Sequence, residues 1–160
     1  MTISRRGLLT ATAATAAATT LPRTRARAQG KPVIKVGCLT DMSGPYRDIA
    51  GGVAVSCAKL AGADFGVAGH DFDFEVVSAD HQNKPDLGAS IARQWFDRDG
   101  VDLIVEVANS AVALAVAGVT REKNKAYMNS GAATSDLTGK QCNANTIHWA
   151  YDTYMLAKST

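Results

Sequence analysis

The sequence predicts an α/β fold in which an open, mostly parallel sheet carries helices on both faces. Short runs of β-branched and aromatic residues alternate strictly with segments of helical period, and short connections join them. The 160 residues are 46% hydrophobic and 20% charged, which is typical of a globular domain and excludes disordered and collagen-like chains. Strands and helices in this alternation favour parallel pairing through right-handed crossovers.

Three segments predict the first two strands and the helix between them. Residues 33–39 form a β-branched run that ends in the turn-rich segment 41–45. A helix with one buried face follows, because apolar residues recur there at spacings of three and four: Ala50, Val53, Ala54, Cys57, Ala58 and Ala61. Gly62 and Gly66 bring this helix to its end, and residues 72–77 supply the second strand.

The next segments repeat the alternation. A loop over 80–85 leads into a second helix, since Pro85 suits a first helical turn. The apolar stripe of this helix predicts four core side chains: Leu87, Ile91, Trp95 and Phe96. Residues 101–107 then give a third strand. The polar residues Asp71, Asp73, Asp80 and His81 share no face at this spacing, so we expect them in solvated loops.

A third helix over 111–123 begins at Asn109 and Ser110, and residues 125–129 give a fourth strand. In open sheets of this class, ligands bind outside the carboxyl ends of the strands. The candidate site therefore consists of the loops that leave those ends: 41–47, 80–84, 108–110 and 130–136. Hydroxyls, small residues and a helix N-terminus dominate the last two loops, which favours binding of a carboxylate.

The first 28 residues have the order of an export signal. Paired Arg5 and Arg6 precede a mildly apolar Ala/Thr-rich stretch over 11–21, and Ala26-Arg27-Ala28 forms a small-residue cleavage site. We therefore predict a twin-arginine signal peptide over 1–28, export to the periplasm, and a folded part over 29–160.

The remaining composition excludes several classes of function. Five arginines and no acid fall in the first 28 residues, so the rest carries 12 basic against 15 acidic residues and gives no support for nucleic-acid binding. No metal-ligand spacing is found among the histidines and cysteines. Cys38 and Cys57 fall on apolar positions, where a thiol usually acts as a small hydrophobe, and the pairing of Cys142 stays open. The motifs of hydrolases, phosphate-binding loops and dinucleotide-binding folds are absent, which argues against an enzyme.

Three segments resemble the type I periplasmic substrate-binding proteins of ABC importers, in the branched-chain amino-acid group. They are TDMSGPY at 40–46 behind the strand IKVG, DHQNK at 80–84, and NSGAATSDLTGK at 129–140. The resemblance runs from about Val33 to the last residue. It implies the first lobe of a two-lobed clamp that binds an amino acid or a small carboxylate, often aromatic, without catalysis or cofactor. It also implies delivery of that solute to an ABC permease in the inner membrane.

The resemblance assigns site residues only at matching positions. The hydroxyl at the start of the third helix and the fourth loop hold the ligand carboxylate in the family, which here implies Asn109 and Ser110, and Ala132, Ala133 and Thr134. Tyr46 is expected to approach the side-chain end of the ligand, and Tyr151 to contribute to the wall. Each has a structural alternative: Ser110 or Asn109 as a helix cap, Thr134 as a turn hydroxyl, and Tyr46 as a packing aromatic.

The chain ends at Thr160, where the family would continue into a second lobe, so we expect an incomplete lobe. We also expect that residues 29–160 alone bind a ligand only at about millimolar concentration or weaker, and that the sheet edge and the apolar helix 111–119 lack cover. A sensing module of a receptor would use the same lobe, and an exported α/β enzyme is a third alternative.

Overall fold

The computed structural model describes residues 30–66 and 69–160, and within them five strands form one parallel sheet. The sheet order is β2-β1-β3-β4-β5, and every neighbouring pair is parallel. The bounds of the strands are β1 Val33–Thr40, β2 Asp73–Asp80, β3 Leu103–Glu106, β4 Ala126–Asn129 and β5 Thr146–His148. The predicted fold class is confirmed, whereas β5 was not predicted because its three residues contain no apolar run.

A helix connects each consecutive pair of strands from β1 to β4, as the sequence pattern predicts, and a fourth helix follows β5. Their bounds are α1 Gly51–Phe65, α2 Pro85–Gln94, α3 Ser110–Lys123 and α4 Thr153–Ser159. α2 begins with Pro85 at its first position and continues into a wider π-helical turn over Trp95–Asp99, which Gly100 ends in a left-handed conformation with φ 70°. A short 3₁₀ turn, Ser135–Leu137, follows β4.

The two faces of the sheet carry different helices. Gly62 of α1 lies against the ring of Phe74, which pairs with Ile34 and therefore shares its face of the sheet. Gly37 is three positions further along β1, so it faces the opposite side, where it meets the indole of Trp95. α1 thus covers one face over β1 and β2, and α2 and α3 pack together on the other face.

The hydrophobic core lies between the sheet and the pair α2 and α3. Its fully buried members include Leu39, Ile104, Val112, Val116 and Tyr127. Trp95 is also buried, as predicted, whereas Phe96 is only half-buried against the core. The expectation that helix 111–119 lacks cover is wrong, because six of the residues of α3 are buried, among them Val112 and Val116.

The buried face predicted for α1 is correct only in part, since Ala50 is buried and Ala54 and Ala58 are half-buried, whereas the other predicted positions are exposed. Val53 is 59% exposed and Cys57 is exposed, while within the helix only Gly51 and Gly62 are buried. The helix therefore faces the sheet with a stripe that keeps Ala54 and Ala58 but is centred on the glycines, with Gly51 and Gly62 as its buried ends. The reason is steric: a Cβ at Gly62 would overlap the ring of Phe74, so the glycine permits the close approach of helix and strand.

On the face that carries α1, the strands β3, β4 and β5 present apolar side chains without a helix above them. Met128 is 38% exposed and Ile147 is 51% exposed, and the two residues are register partners. An apolar groove between α1 and the sheet continues this surface, with Ile34, Phe65 and Leu103 in its lining. The sequence predicted that a sheet edge and α3 would lack cover. The uncovered apolar surface is instead one face of the sheet.

The predicted signal peptide over 1–28 and its cleavage boundary lie outside the described residues, which begin at Gly30. Among the residues that are described, no helix has the length and apolar character to cross a membrane.

Candidate ligand-binding site

The carboxyl ends of the parallel strands meet at one edge of the sheet, and polar side chains are buried there. All five have 7% exposure or less: Thr40, Asp41, His81, Glu106 and Asn129. After β1 the chain crosses to the face of α1, and after β3 it crosses to the face of α3. A crevice opens where neighbouring strands send their connections to opposite faces, which is the usual ligand site of such sheets. The four predicted loops leave the carboxyl ends of β1 to β4 at this edge.

Asp41 shapes the loop that follows β1. Its carboxylate accepts the N–H of Gly44 at 2.8 Å and that of Tyr46 at 3.0 Å. A Cβ at Gly44 would lie 2.5 Å from a carboxylate oxygen of Asp41, so the glycine is needed for this tight turn. Tyr46 is half-buried at the end of the turn, where Asp41 fixes its main chain.

Asp80 joins the loops that follow β1 and β2. Its carboxylate accepts the N–H of Met42 at 3.0 Å, the hydroxyl of Ser43 at 2.6 Å and the N–H of Gln82 at 2.7 Å. Burial alone would raise the pKa of Asp80, but the bonds from Ser43, Gln82 and Met42 outweigh it and hold that pKa below its usual value. Asp80 therefore stays ionised and holds the loops together.

His81 corrects the expectation of a solvated loop, because its side chain is fully buried. Its Nδ1 accepts the N–H of Asn83 at 3.0 Å, so the ring proton is on Nε2. Burial lowers the pKa of His81 in spite of the charges of Asp41 and Asp80 nearby. A neutral imidazole is therefore part of the packed support under the loops.

Asn109 and Ser110 have separate roles at the start of α3. Asn109 is the N-cap, since its Oδ1 accepts the N–H of Val112 at 3.0 Å. Ser110 is the first helical residue, is half-buried, and its hydroxyl makes no hydrogen bond within the described part of the chain. The capping alternative thus applies to Asn109 and leaves the Ser110 hydroxyl open beside the free amides of the helix N-terminus.

The loop after β4 is held at Ala132 and is half-open at Ala133 and Thr134. Ala132 is fully buried; its N–H donates to Asn129 Oδ1 at 3.1 Å, and its carbonyl lies 2.7 Å from Nε2 of His148. Both peptide groups of Ala132 are therefore occupied. Thr134 caps the 3₁₀ turn by accepting the N–H of Asp136 at 3.3 Å, which leaves the hydroxyl proton free to donate.

The segment after β5 brings aromatic side chains to the same edge. Trp149 is 75% exposed and Tyr151 is 55% exposed. Their main chain is tied to the preceding loop, because Trp149 N donates to Asn129 O at 2.7 Å and Thr153 N donates to Ala133 O at 2.7 Å. Trp149 was not singled out from the sequence, because only its position after β5 reveals that it lies at this edge.

The arrangement offers hydrogen-bond donors of the kind that bind a carboxylate. The Ser110 hydroxyl, the first amides of α3 and the Thr134 hydroxyl lie on two loops that follow adjacent strands, and α3 contacts the 3₁₀ turn. In the described ranges no group of histidine, cysteine and acidic residues could hold a metal ion. The fold is that of an α/β lobe, and the donors on these two loops suit a small anion.

Comparisons with known proteins assign the family. The family model described as periplasmic binding protein matches residues 33–160, and the chain belongs to this family. No curated protein matches the chain.

Solved structures of this family share the fold. A periplasmic binding protein from Burkholderia mallei is 50% identical with a TM-score of 0.76, over 82% of this chain and 35% of its own. A branched-chain amino acid ABC transporter periplasmic ligand-binding protein from Burkholderia xenovorans is 39% identical with a TM-score of 0.70, over 79% of this chain and 36% of its own. The chain thus spans about a third of the length of these two relatives.

A third structure is an ABC transporter solute-binding protein from Rhodopseudomonas palustris in complex with 4-hydroxybenzoate. It is 25% identical to this chain with a TM-score of 0.58, over 75% of this chain and 32% of its own.

Proposed function

We propose that this chain forms a ligand-binding lobe of a periplasmic solute-binding protein that serves an ABC importer. The supporting observation is the set of open donors at the crevice: the Ser110 hydroxyl at the start of α3 and the Thr134 hydroxyl on the adjacent loop. Charge-assisted hydrogen bonds from such donors favour an ionised carboxylate. The family to which the chain belongs consists of binding proteins, and binding without catalysis is the activity proposed.

The proposed ligand is an amino acid or a small aromatic carboxylate. Ser110, Ala133 and Thr134 hold its carboxylate, Asn109 and Ala132 hold the loops that carry these donors, and Tyr46 and Tyr151 form the wall around its side chain. The relatives support this class, since the protein from B. xenovorans is named for branched-chain amino acids and the one from R. palustris holds 4-hydroxybenzoate. The exposed aromatics Trp149 and Tyr151 at the same edge favour the aromatic member of the class.

The proposed partner is an inner-membrane ABC permease, and the proposed route is export by the twin-arginine pathway. Support comes from the family and from Arg5 and Arg6 ahead of the Ala26-Arg27-Ala28 cleavage site. Mass spectrometry of periplasmic material is expected to find a chain that begins at Gln29. An intact Met1 terminus on that material would contradict the processing.

The binding proposal is tested by chemical-shift titration of the ¹⁵N-labelled chain with 4-hydroxybenzoate and with L-leucine, each into the millimolar range. We expect the amides of Ser110, Ala133 and Thr134 to shift with at least one of them. The matched control is 4-hydroxybenzyl alcohol, which keeps the ring and lacks the carboxylate. Equal shifts with the alcohol, or no shift with either acid, would overturn the carboxylate site.

A further inference from the structure

We propose that Asn129 is a positioning residue that sets the distance between the two loops of the carboxylate site, and through it the affinity for ligand. This inference rests on the proposed function in its binding part, whereas its structural part can be measured without ligand. Asn129 is the last residue of β4 and is fully buried. It begins the segment 129–140 that carries the family resemblance, but it is not among the site residues that the resemblance implies.

The side chain of Asn129 bonds to both loops at once. Its Nδ2 donates to the carbonyls of Glu106 at 3.1 Å and Val107 at 3.2 Å, at the end of β3, and lies 2.6 Å from the hydroxyl of Tyr127 in its own strand. Its Oδ1 accepts the N–H of Ala132 at 3.1 Å. These partners determine the orientation of the amide, because a carbonyl requires a donor and an N–H requires an acceptor.

The carbonyls that Asn129 binds belong to a strained turn. Glu106 has φ 79° and Val107 has φ 69°, and both are in the left-handed region that L residues rarely adopt, least of all a β-branched one. Such backbone persists only where its surroundings hold it. This turn immediately precedes Ala108 and the cap Asn109, so its geometry sets where α3 and its Ser110 hydroxyl begin.

The second loop is held against the first by the same side chain. A Cβ on Gly131 would lie 2.8 Å from Cα of Ala108, so the two loops are in direct contact. Next to this contact, Ala132 is held from both sides: Asn129 accepts its N–H, and His148 Nε2 donates to its carbonyl at 2.7 Å. Thr134 follows two residues later, and its position therefore depends on the Asn129 bond.

Besides its bonds to the two loops, the Asn129 amide also bonds to the buried Tyr127 hydroxyl within β4. Tyr127 lies two residues earlier in β4 and is part of the hydrophobic core on the same side of the sheet. An apolar side chain such as leucine would fill the position without the desolvation that a buried amide requires. The β3–β4 ladder ends at the pair Glu106 and Asn129, so beyond it the Asn129 side chain connects Val107 on one loop to Ala132 on the other.

The ligand-free test is hydrogen exchange followed by NMR. In the parent chain the Ala132 amide should exchange as slowly as the amides of the central strand β3. In Asn129→Leu it should exchange at least about tenfold faster, since its acceptor is gone, and the amides of 108–110 should shift. Asn129→Asp keeps the acceptor but loses both donors, so Ala132 should stay protected while 108–110 still shift. If the Ala132 amide of the parent chain exchanges much faster than the amides of β3, the proposal is overturned. This measurement requires no variant.

The binding test uses 4-hydroxybenzoate and L-leucine on the same variants. Asn129→Leu should weaken binding about tenfold or more. Tyr127→Phe removes the hydroxyl that bonds to Asn129 Nδ2 but leaves the bonds of Asn129 to both loops, so it should not weaken binding to that extent. Ile104→Val serves as the control for stability, because it removes a core methyl group and no loop contact. Unchanged affinity in Asn129→Leu, or an equal loss in Ile104→Val, would overturn the positioning role. If the parent binds neither acid, the proposed function fails and hydrogen exchange alone decides this inference.

Discussion

Gly37 in β1 lies directly beneath the indole ring of Trp95. A Cβ on Gly37 would be 2.5 Å from two ring carbons and 3.2 Å from Cγ1 of Val101. The π-helical turn that begins at Trp95 thereby packs its largest side chain onto bare strand backbone. This contact closes the core face of the sheet below the strand ends that carry the site.

We therefore expect Gly37→Ala to lower the free energy of unfolding by about 1 to 3 kcal/mol, because the added methyl group overpacks the core. Gly118→Ala is the matched control, since a Cβ there meets nothing within 4 Å and lies inside α3. It should stabilise the chain by up to about 1 kcal/mol through helix propensity. Urea unfolding of both variants is the measurement, and a Gly37→Ala variant as stable as the parent would contradict the contact.

Glu106 predicts a pH-dependent loss of stability. Burial raises its pKa above the ordinary 4.5, and the charge of Asp41 adds to this, so the folded state binds the proton more tightly than the unfolded state. The stability contributed by this group is therefore present below about pH 4.5 and is lost as the pH rises through the pKa of the folded state.

Glu106→Gln should remove this loss, so the variant should be more stable than the parent at about pH 8 and differ little at about pH 4. Burial lowers the pKa of His81 below its ordinary value of 6.5, so His81 makes the free energy of unfolding rise with pH in that range. Because His81 is present in both proteins, its contribution cancels when the stabilities of variant and parent are compared. Urea unfolding across this range gives the comparison. A difference that stays constant with pH would rule out Glu106 as the cause.

The three cysteines should react in two classes. Cys38 is buried in β1, and burial together with the charge of Glu106 raises the pKa of its thiol to about 12, whereas Cys57 and Cys142 are exposed. A thiol-specific colorimetric reagent should therefore count two thiols on the reduced native chain and a third only after unfolding. Rapid reaction of all three would show that β1 opens readily. Cys38→Ala should leave the native count unchanged.

Ser110→Ala and Thr134→Val should each weaken carboxylate binding about tenfold or more, because a charge-assisted hydrogen bond contributes about 1.5 to 3 kcal/mol. Asn109→Ala separates capping from binding: it removes the acceptor for Val112 N–H and should lower stability by about 0.5 to 2 kcal/mol. Ser90→Ala on the exposed side of α2 is the neutral control. Ligand titration and urea unfolding of all four variants are the measurements. If Ser110→Ala and Thr134→Val lose stability but keep the affinity of the parent, these two residues lie outside the site.

The uncovered apolar face of β4 and β5 should make the 160-residue chain self-associate in the absence of other partners. Met128 and Ile147 are exposed and apolar, so the same face on two copies of the chain can pack together without like-charge repulsion and bury apolar surface. Met128→Lys and Ile147→Lys should shift the chain toward monomer in sedimentation velocity. Ile49→Lys, at a side chain that is 78% exposed away from the strands, is the control. A parent chain that is monomeric at high concentration would contradict the expectation.

Local pattern was sufficient for the elements that carry their own signal. β1 follows from a run of apolar residues, and α2 and α3 follow from apolar residues that recur at helical spacing. The cap at Asn109 follows from its place before an apolar helix. The site loops followed as well, because the carboxyl ends of parallel strands must meet at one edge. β5 carries no such signal, since it becomes a strand only by pairing with β4.

The tertiary structure decided what depends on neighbours that are distant in sequence. Hydropathy included Val53 and Cys57 in the buried face of α1 beside Ala54 and Ala58, but the close approach of Gly62 to Phe74 leaves Val53 and Cys57 exposed. His81 has the sequence of a loop residue, yet it is buried beside Gly88, whose own neighbour is Val112. The sequence by itself thus determined the parallel α/β fold and the edge where the site lies. Packing decided how the proposed site loops are held and which of their donors stay open. Asn129, for example, bonds to carbonyls 22 and 23 residues away, and no local sequence pattern encodes such a contact.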